Sequence, residues 1–312
     1  MQQRRPRPRR ARRGGLAGRR ATAGGGPPAS SGVLRALCPL LERVGGGDAA
    51  EPRNAALETL TSGLASISRL PLGVDAAQPA PAPPPAESLV LYEFEACPFC
   101  RRVREAVVDL DLEITVKPCP KNALRHRQEV LARGGAAQFP FLVDEAAGVA
   151  LYESADIVRH LYATYGPEGS EPPAWLLNGT LVTGWMPTVL RAGRGMTRYA
   201  GREGRRGAPA EAPAAPLELW NYEGNQFARL VREALTELEL PFIARSAGKG
   251  SARREALQAL SGRTTVPFLV DPNTGVAMGE SLDIVEYLFA TYAPVEEQGG
   301  ERDVGGRSAP DR

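Results

Sequence analysis

The 312 residues predict an α/β chain of two tandem domains, each a central mixed β-sheet flanked by helices and preceded by a short helical preamble. The first observation behind this is internal repetition. EACPFCRRVREAV (Glu95 to Val107) is matched by EGNQFARLVREAL (Glu223 to Leu235), and FPFLVD (Phe139 to Asp144) by VPFLVD (Val266 to Asp271). YESADIVRHLYATYG (Tyr152 to Gly166) is matched by GESLDIVEYLFATYA (Gly279 to Ala293). The second is an echo upstream of each copy, TLTSGLASISRLPLG from Thr59 and TLVTGWMPTVLRAGRG from Thr180. The third is punctuation: AAQPAPAPPPAES before the first copy reads as an extended, semi-rigid Pro/Ala linker, and GREGRRGAPAEAPAAP holds the same place before the second.

In the first copy, LVLYEF is β-like, and CRRVREAVVDLDL brings Val103, Val107, Val108 and Leu110 near one helical face. EITVK is a second strand, NALRHRQEVLARGG a helix stopped by Gly134 and Gly135, FPFLV and VALY two short strands, and ESADIVRHLYATYG a final helix capped near Ser154. That order, βαβ then α then ββα, is the order of a thioredoxin-like domain, and the second copy repeats it. The later matches sit one residue closer together than the first, which places a deletion in a loop, expected near Gly134-Gly135. The organisation expected is a targeting or disordered segment over 1–50, a preamble and linker over 51–87, a dithiol-bearing domain over 88–166, a second preamble and linker over 167–215, a thiol-free domain over 216–293, and a disordered tail over 294–312.

Composition narrows the setting. Apolar residues make up 43% of the chain, enough for two small cores, and no apolar run of membrane-spanning length exists. The net charge of +2 hides an asymmetry: residues 1–35 hold ten arginines and no acid, and the first carboxylate is Glu42. This matches an organelle-targeting segment, with chloroplast as the first choice and mitochondrion as the second. A nucleic-acid-binding arm is the rival reading, but no aromatic is interleaved with the arginines, and no nucleic-acid partner is expected. The four cysteines (Cys38, Cys97, Cys100, Cys119) are too few and too unevenly spread for a disulfide-stapled secreted fold, so a reducing compartment is expected.

Chemistry concentrates where the first strand meets the first helix. Cys97-Pro98-Phe99-Cys100 sets one sulfur at a helix N-terminus, where unpaired N–H groups and the macrodipole favour an anion. Cys97 is thereby the candidate nucleophile and Cys100, one turn on, the candidate resolver of a mixed disulfide. Arg101 and Arg102 either add positive potential or are solvated surface charges. Half of a zinc site is the alternative for the two cysteines, but only Cys38, Cys119, His126 and His160 remain as further ligands, without a second CxxC, and no metal site is expected.

Pro140 opens a strand after a loop, either through a cis bond that turns backbone groups toward a substrate or as a plain trans proline; Val266-Pro267 repeats the choice. Glu153-Ser154 and Glu280-Ser281 begin the last helix of each copy, where Ser154 caps the helix and exposed N–H groups can also hold a carboxylate. Lys121 and Lys249 either contact a peptide carboxylate or are solvated. Cys119 reads as a buried inert thiol or as a neighbour of the site. In the second copy Asn225 and Ala228 stand where Cys97 and Cys100 stand in the first. An apolar preamble (Leu181, Val182, Trp185, Val189) either docks the two copies or simply connects them.

EACPFCRRVREAV, then FPFLVD, then YESADIV resembles the glutaredoxin family and the N-terminal, thioredoxin-like domain of glutathione S-transferases. The tandem arrangement is similar to that of plastid proteins of plants and algae with two such domains in series. The resemblance implies a glutathione-dependent thiol–disulfide oxidoreductase with a non-catalytic second domain and glutathione as co-substrate. Its partners would be glutathione and protein disulfides or mixed disulfides. Cys97 would be the catalytic thiol and Cys100 the second glutaredoxin cysteine; Phe139 and Pro140 would contact the cysteinyl backbone of glutathione, and Glu153 with Ser154 its γ-glutamyl end. Val266, Pro267, Glu280 and Ser281 would form the matching groove of the second domain. Two other functions remain open: a non-catalytic glutathione- or peptide-binding, redox-sensing scaffold, and an iron–sulfur cluster shared through Cys97 and glutathione in a dimer. The sequence departs from a complete transferase in lacking an all-helical domain after either unit.

Overall fold

The computed structural model describes residues 53–179, 183–201 and 212–294. The arginine-rich start, Cys38, Leu181, Val182 and almost all of the expected tail lie outside the described residues. The first copy runs β1 (Leu89–Glu93), α2 (Pro98–Asp109), β2 (Ile114–Pro118), α3 (His126–Gly134), β3 (Phe141–Asp144), β4 (Val149–Leu151) and α4 (Ser154–Tyr165), with α1 (Ala55–Ile67) as its preamble. A second preamble holds α5 (Ala174–Asn178) and α6 (Met186–Leu190). The second copy runs β5 (Leu217–Asn221), α7 (Gln226–Glu237), β6 (Phe242–Ser246), α8 (Arg253–Ser261), β7 (Phe268–Asp271), β8 (Val276–Gly279) and α9 (Ser281–Tyr292).

Within each copy the first two strands pair in parallel and the other two are added antiparallel, which is the mixed sheet expected. The two sheets are not separate. Strand β2 pairs antiparallel with β6 to make one eight-stranded sheet ordered β4-β3-β1-β2-β6-β5-β7-β8. Thr115 pairs with Ile243, its own equivalent in the repeat, so the axis of internal symmetry passes through that pair. Each copy thereby covers the strand edge the other would leave exposed. The core is also shared. One buried cluster takes in Leu89, Leu91, Val103 and Ile114 together with Leu217, Leu219, Val231 and Phe242, so the expectation of two small cores is corrected.

The one-residue difference between the copies also lies elsewhere than expected. Gly135 and Gly262 both cap their helices in the left-handed region, with φ of 82° and 72°, so the register is already common by α3 and α8. Ahead of those helices, Asn122 and Gly250 are equivalent positive-φ positions, and three residues (123–125) follow the one where two (251–252) follow the other. The change sits in that turn, not at Gly134-Gly135.

The preambles cross over. Helix α1, which precedes the first copy, packs against α7 of the second, while α5 packs against α2 of the first. Past the helices, the backbone of Asp75 bridges in parallel to Lys249 and that of Thr197 to Lys121. Two glycines permit the approach. Gly73 (φ +65°) lies where a Cβ would stand 2.8 Å from the Glu223 Cβ, and Gly195 (φ +74°) 2.8 Å from that of Glu95. The Pro/Ala linker is pinned as well: Gln78 and Ala80 N–H donate to the carbonyls of Asp109 and Leu110 at 2.9 and 2.8 Å. Trp185 and Val189, offered as an apolar docking face, are 38% and 43% exposed, and the second preamble instead joins the copies through polar side chains, Thr188 to Ala96 and Arg191 to Glu233.

What the crossing brings together is charge. Glu223 takes Arg104 at 2.7 Å, Arg101 at 3.2 Å and Arg232 at 3.0 Å, and Glu95 takes Arg232 at 3.0 Å and Arg104 at 3.1 Å, all of them buried. Two bidentate pairs flank this centre, Arg69 on Glu105 (2.9 and 2.6 Å) and Arg191 on Glu233 (2.8 and 2.7 Å). Burial alone would raise the Glu223 carboxyl, but Arg104, Arg232, Arg229 and Arg101 together hold it well below the usual carboxylate range. A carboxyl lowered by folding contributes stability above its unfolded value, about 4.3, and loses it as pH falls. Glu223→Gln is therefore expected to cost about 3–5 kcal/mol in urea unfolding at neutral pH, because it strands buried guanidinium groups, with the deficit narrowing in acid. A loss under about 1 kcal/mol at neutral pH, within the range of an exposed pair, contradicts this account of the interface.

Candidate active site

Cys97 is the N-cap of α2, extended at φ −74° and ψ 119°, and Pro98 follows at the first helical position, where its missing N–H costs nothing. The Cys100 backbone N–H donates to the Cys97 sulfur at 3.3 Å. Burial pushes the Cys97 thiol up, but hydrogen bonds from the Cys100 thiol and from the backbone N–H groups of Cys100 and Phe99 outweigh it and bring the thiol below its ordinary value. Cys100 moves the opposite way: burial first, then Cys97 beside it, raise it well above the normal thiol range. The two sulfurs are thus divided into a thiolate former and a proton holder. Cys97 is only 4% exposed, where the redox reading expects an open thiol, and the second preamble lies over its loop, with Thr188 Oγ1 donating to the Ala96 carbonyl at 2.6 Å.

Phe139 and Ser154 are tied to the segment that carries the dithiol, through the Phe94 ring and the Arg102 guanidinium. The Phe139-Pro140 and Val266-Pro267 bonds are both cis. Phe139 is half-buried, with the Phe94 ring edge-on at 6.2 Å and the Arg127 guanidinium 4.9 Å above it. Ser154 does not cap α4; the N-cap is Glu153, held at φ 60° and ψ 109°, and Glu280 repeats this at 66° and 114°. Such values are uncommon for a residue with a side chain and recur at ligand-binding turns. Freed from capping, the Ser154 hydroxyl is buried and accepts from Arg102 at 3.1 Å, while Glu153 stays exposed and accepts from Gln138 at 2.5 Å.

Arg101 and Arg102 are both buried, so the reading of them as solvated surface charges is corrected. Arg101 turns from the thiols toward Glu223 and the Gly184 carbonyl. Cys119 sits in a second apolar cluster with Tyr92, Val130, Phe141 and Val143, and burial pushes its thiol far up. Lys121 and Lys249 have exposed side chains and serve the fold through their backbones, in the two cross-bridges. Sequence reasoning passed over Glu93, at the end of β1, which is buried and ion-paired with Arg104. The available signal was an acid at a core-facing position of a strand.

The second copy keeps the frame and changes the chemistry. Asn225, at φ −77° and ψ 119°, has the backbone of Cys97, and its Oδ1 accepts from Phe227 and Ala228 at 3.0 and 2.8 Å. An amide oxygen here does the capping that the sulfur does in copy one. Beside it opens a groove of about 1070 Å³, whose walls include Tyr222, Asn225, Val266, Pro267, Glu280 and Ser281. Among the described residues no group of three or more His, Cys, Asp or Glu side chains is arranged to hold a metal ion, and no helix is long and apolar enough to cross a membrane.

Residues 91–171 and 219–298 each match the family described as glutathione S-transferase, N-terminal domain. These stretches make up more than half of the chain, which therefore belongs to that family and carries its thioredoxin-like domain twice. Among solved structures the chain is similar to Leishmania TDR1, described as a unique trimeric glutathione transferase, at 16% identity over 69% of this chain and 70% of that one, with a TM-score of 0.24. No curated protein matches significantly.

Asn225→Ala is expected to cost about 1 kcal/mol in unfolding free energy, the worth of an N-cap, and to leave the reactivity of the Cys97 thiol unchanged. A change in thiol reactivity without loss of stability contradicts the assignment of Asn225 as a cap.

Proposed function

We propose that the protein is a glutathione-dependent thiol–disulfide oxidoreductase whose chemistry resides in the first copy. The observation that carries this reading is the Cys97 sulfur at the N-cap of α2, receiving backbone N–H groups that favour its anion. The Cys97 thiolate attacks one sulfur of a mixed disulfide; a Cys97–S–S bond forms, the original S–S bond breaks, and the released thiolate takes a proton. Resolution follows by two routes. Cys100 loses its proton and displaces the second group, closing the Cys97–Cys100 disulfide, or free glutathione attacks and restores the Cys97 thiol. In either case the two electrons that reduce the substrate come from thiols.

The substrate is assigned to the glutathione class because the chain belongs to a glutathione S-transferase family and because the Glu153-Ser154 turn presents a helix start to a carboxylate. Arg102, hydrogen-bonded to Ser154, adds positive charge there. The second copy repeats that turn at Glu280-Ser281 beside its groove but has an amide in place of the sulfur. It is proposed to bind a related peptide without reacting with it.

Turnover of a glutathione mixed disulfide is expected to fall by about two orders of magnitude in Cys97→Ser, since a hydroxyl at this position has no comparable anion. Equal turnover in the two proteins removes Cys97 from the mechanism.

A further inference from the structure

Helix α1 is amphipathic in the inverse sense. Its buried side chains are polar and serve the interface between the copies: Glu58 pairs with Arg191, Ser62 Oγ donates to the Gln226 carbonyl at 2.6 Å, and Ser66 accepts from Arg229 at 3.4 Å. Leu57, Leu60, Leu64 and Ile67, by contrast, are from 46% to 64% exposed. Spaced three or four residues apart, they form one apolar stripe down the outward face, and Leu70, just past the helix end, is exposed as well. The neighbouring α6 also leaves apolar side chains, Trp185 and Val189, in solvent. A single exposed leucine needs no explanation, but a stripe of this kind marks a surface that another element covers.

The chain carries an element that fits it. Residues 33–44 (VLRALCPLLERV) lie outside the described residues, and their sequence sets Val33, Leu34, Leu37, Leu40, Leu41 and Val44 at i, i+1, i+4, i+7, i+8 and i+11, one face of a helical repeat. Arg35, Pro39 and Glu42 fall on the opposite side of that repeat, and a proline there curves a helix convex toward solvent. The 12 residues of this run match the 13 of α1 in length. A further 8, residues 45–52, join it to Arg53 at the start of α1, and they open with Gly45-Gly46-Gly47, a sequence that readily admits a reversal of the chain. That connection spans up to about 26 Å against the roughly 20 Å length of α1, and it falls within the usual size of a helix–helix loop. The tether also decides between occupants: it holds the segment at an effective concentration in the millimolar range, which a second copy does not reach in dilute solution.

We infer that residues 33–44 dock antiparallel along the outward face of α1, their apolar side covering Leu57, Leu60, Leu64 and Ile67. The first fifty residues then do not act as one targeting segment. Their dense arginines end at Arg20, and a cut that removes those while keeping this contact falls before Val33. None of this depends on the thiol chemistry of Cys97.

Cys38 lies within the docking segment and supplies the probe. In the full chain carrying Leu64→Cys, with Cys97→Ser to remove the exchanging thiol, mild oxidation is followed by digestion and mass spectrometry. A disulfide between Cys38 and the introduced thiol is expected within one chain, at a rate independent of protein concentration. Leu37→Asp with Leu41→Asp keeps the tether but spoils the apolar side, and should slow that link, and quicken alkylation of the introduced thiol, about tenfold each. Both aspartates lie outside the two copies, so near-UV circular dichroism is expected to stay as in wild type and separates lost docking from lost folding. An unchanged link rate in the aspartate variant reduces the contact to the tether alone and overturns the inference. A link between the introduced thiols of two chains, its yield rising with concentration, makes a second copy the occupant and overturns it too, as does rapid alkylation with no link.

Discussion

The architecture depends on a carboxylate–guanidinium cluster buried where the two copies meet. Glu95 and Glu223, each two residues before a helix N-cap, receive arginines from both copies. Neither copy can satisfy its own charges alone, because Glu223 serves Arg101 and Arg104 across the interface and Arg232 reaches back to Glu95. Desolvating so many ions is costly, and only near-complete mutual pairing offsets it. This explains why the preambles cross, why glycines lie against both glutamates, and why the sheet runs unbroken through β2 and β6. The same cluster sets the two strand-to-helix turns in one frame.

On that frame the copies differ at the helix N-cap, Cys97 in one and Asn225 in the other. The N-cap position demands an acceptor for helix N–H groups, and both sulfur and amide oxygen meet the demand. In the proposed function only sulfur gains reactivity from it, since the groups that cap the helix also favour the thiolate. Copy two, capped by Asn225, contributes half of the central charge cluster, a preamble partner and an open groove. Its loss of thiols is no loss to the fold.

Much of this was legible in the sequence, for identifiable reasons. Short β-like runs and helical patterning located the strands and helices, and the CPFC motif at a strand-to-helix junction located the cap. Four things were hidden. Antiparallel pairing of β2 with β6 leaves no mark on strands that are apolar in any case. Crossing of the preambles is a long-range choice, and the Arg and Glu positions of RRVREA and RLVREA read as a solvated helix face until a second copy is there to bury them. Ser154 looked like a cap because Ser usually is one, and only the positive φ of Glu153 shows the turn displacing it. Glu93 was overlooked because an acid in a strand is ordinarily read as facing solvent.

The central claim is that the α2 N-terminus stabilises the Cys97 thiolate, and it is tested most directly by the pH dependence of Cys97 alkylation, read at that residue by mass spectrometry in the folded, reduced chain. The account predicts a midpoint clearly below the ordinary thiol value of about 8.5, with Cys100 unreactive across the same range. A midpoint at or above that value, or Cys100 reacting first, contradicts it.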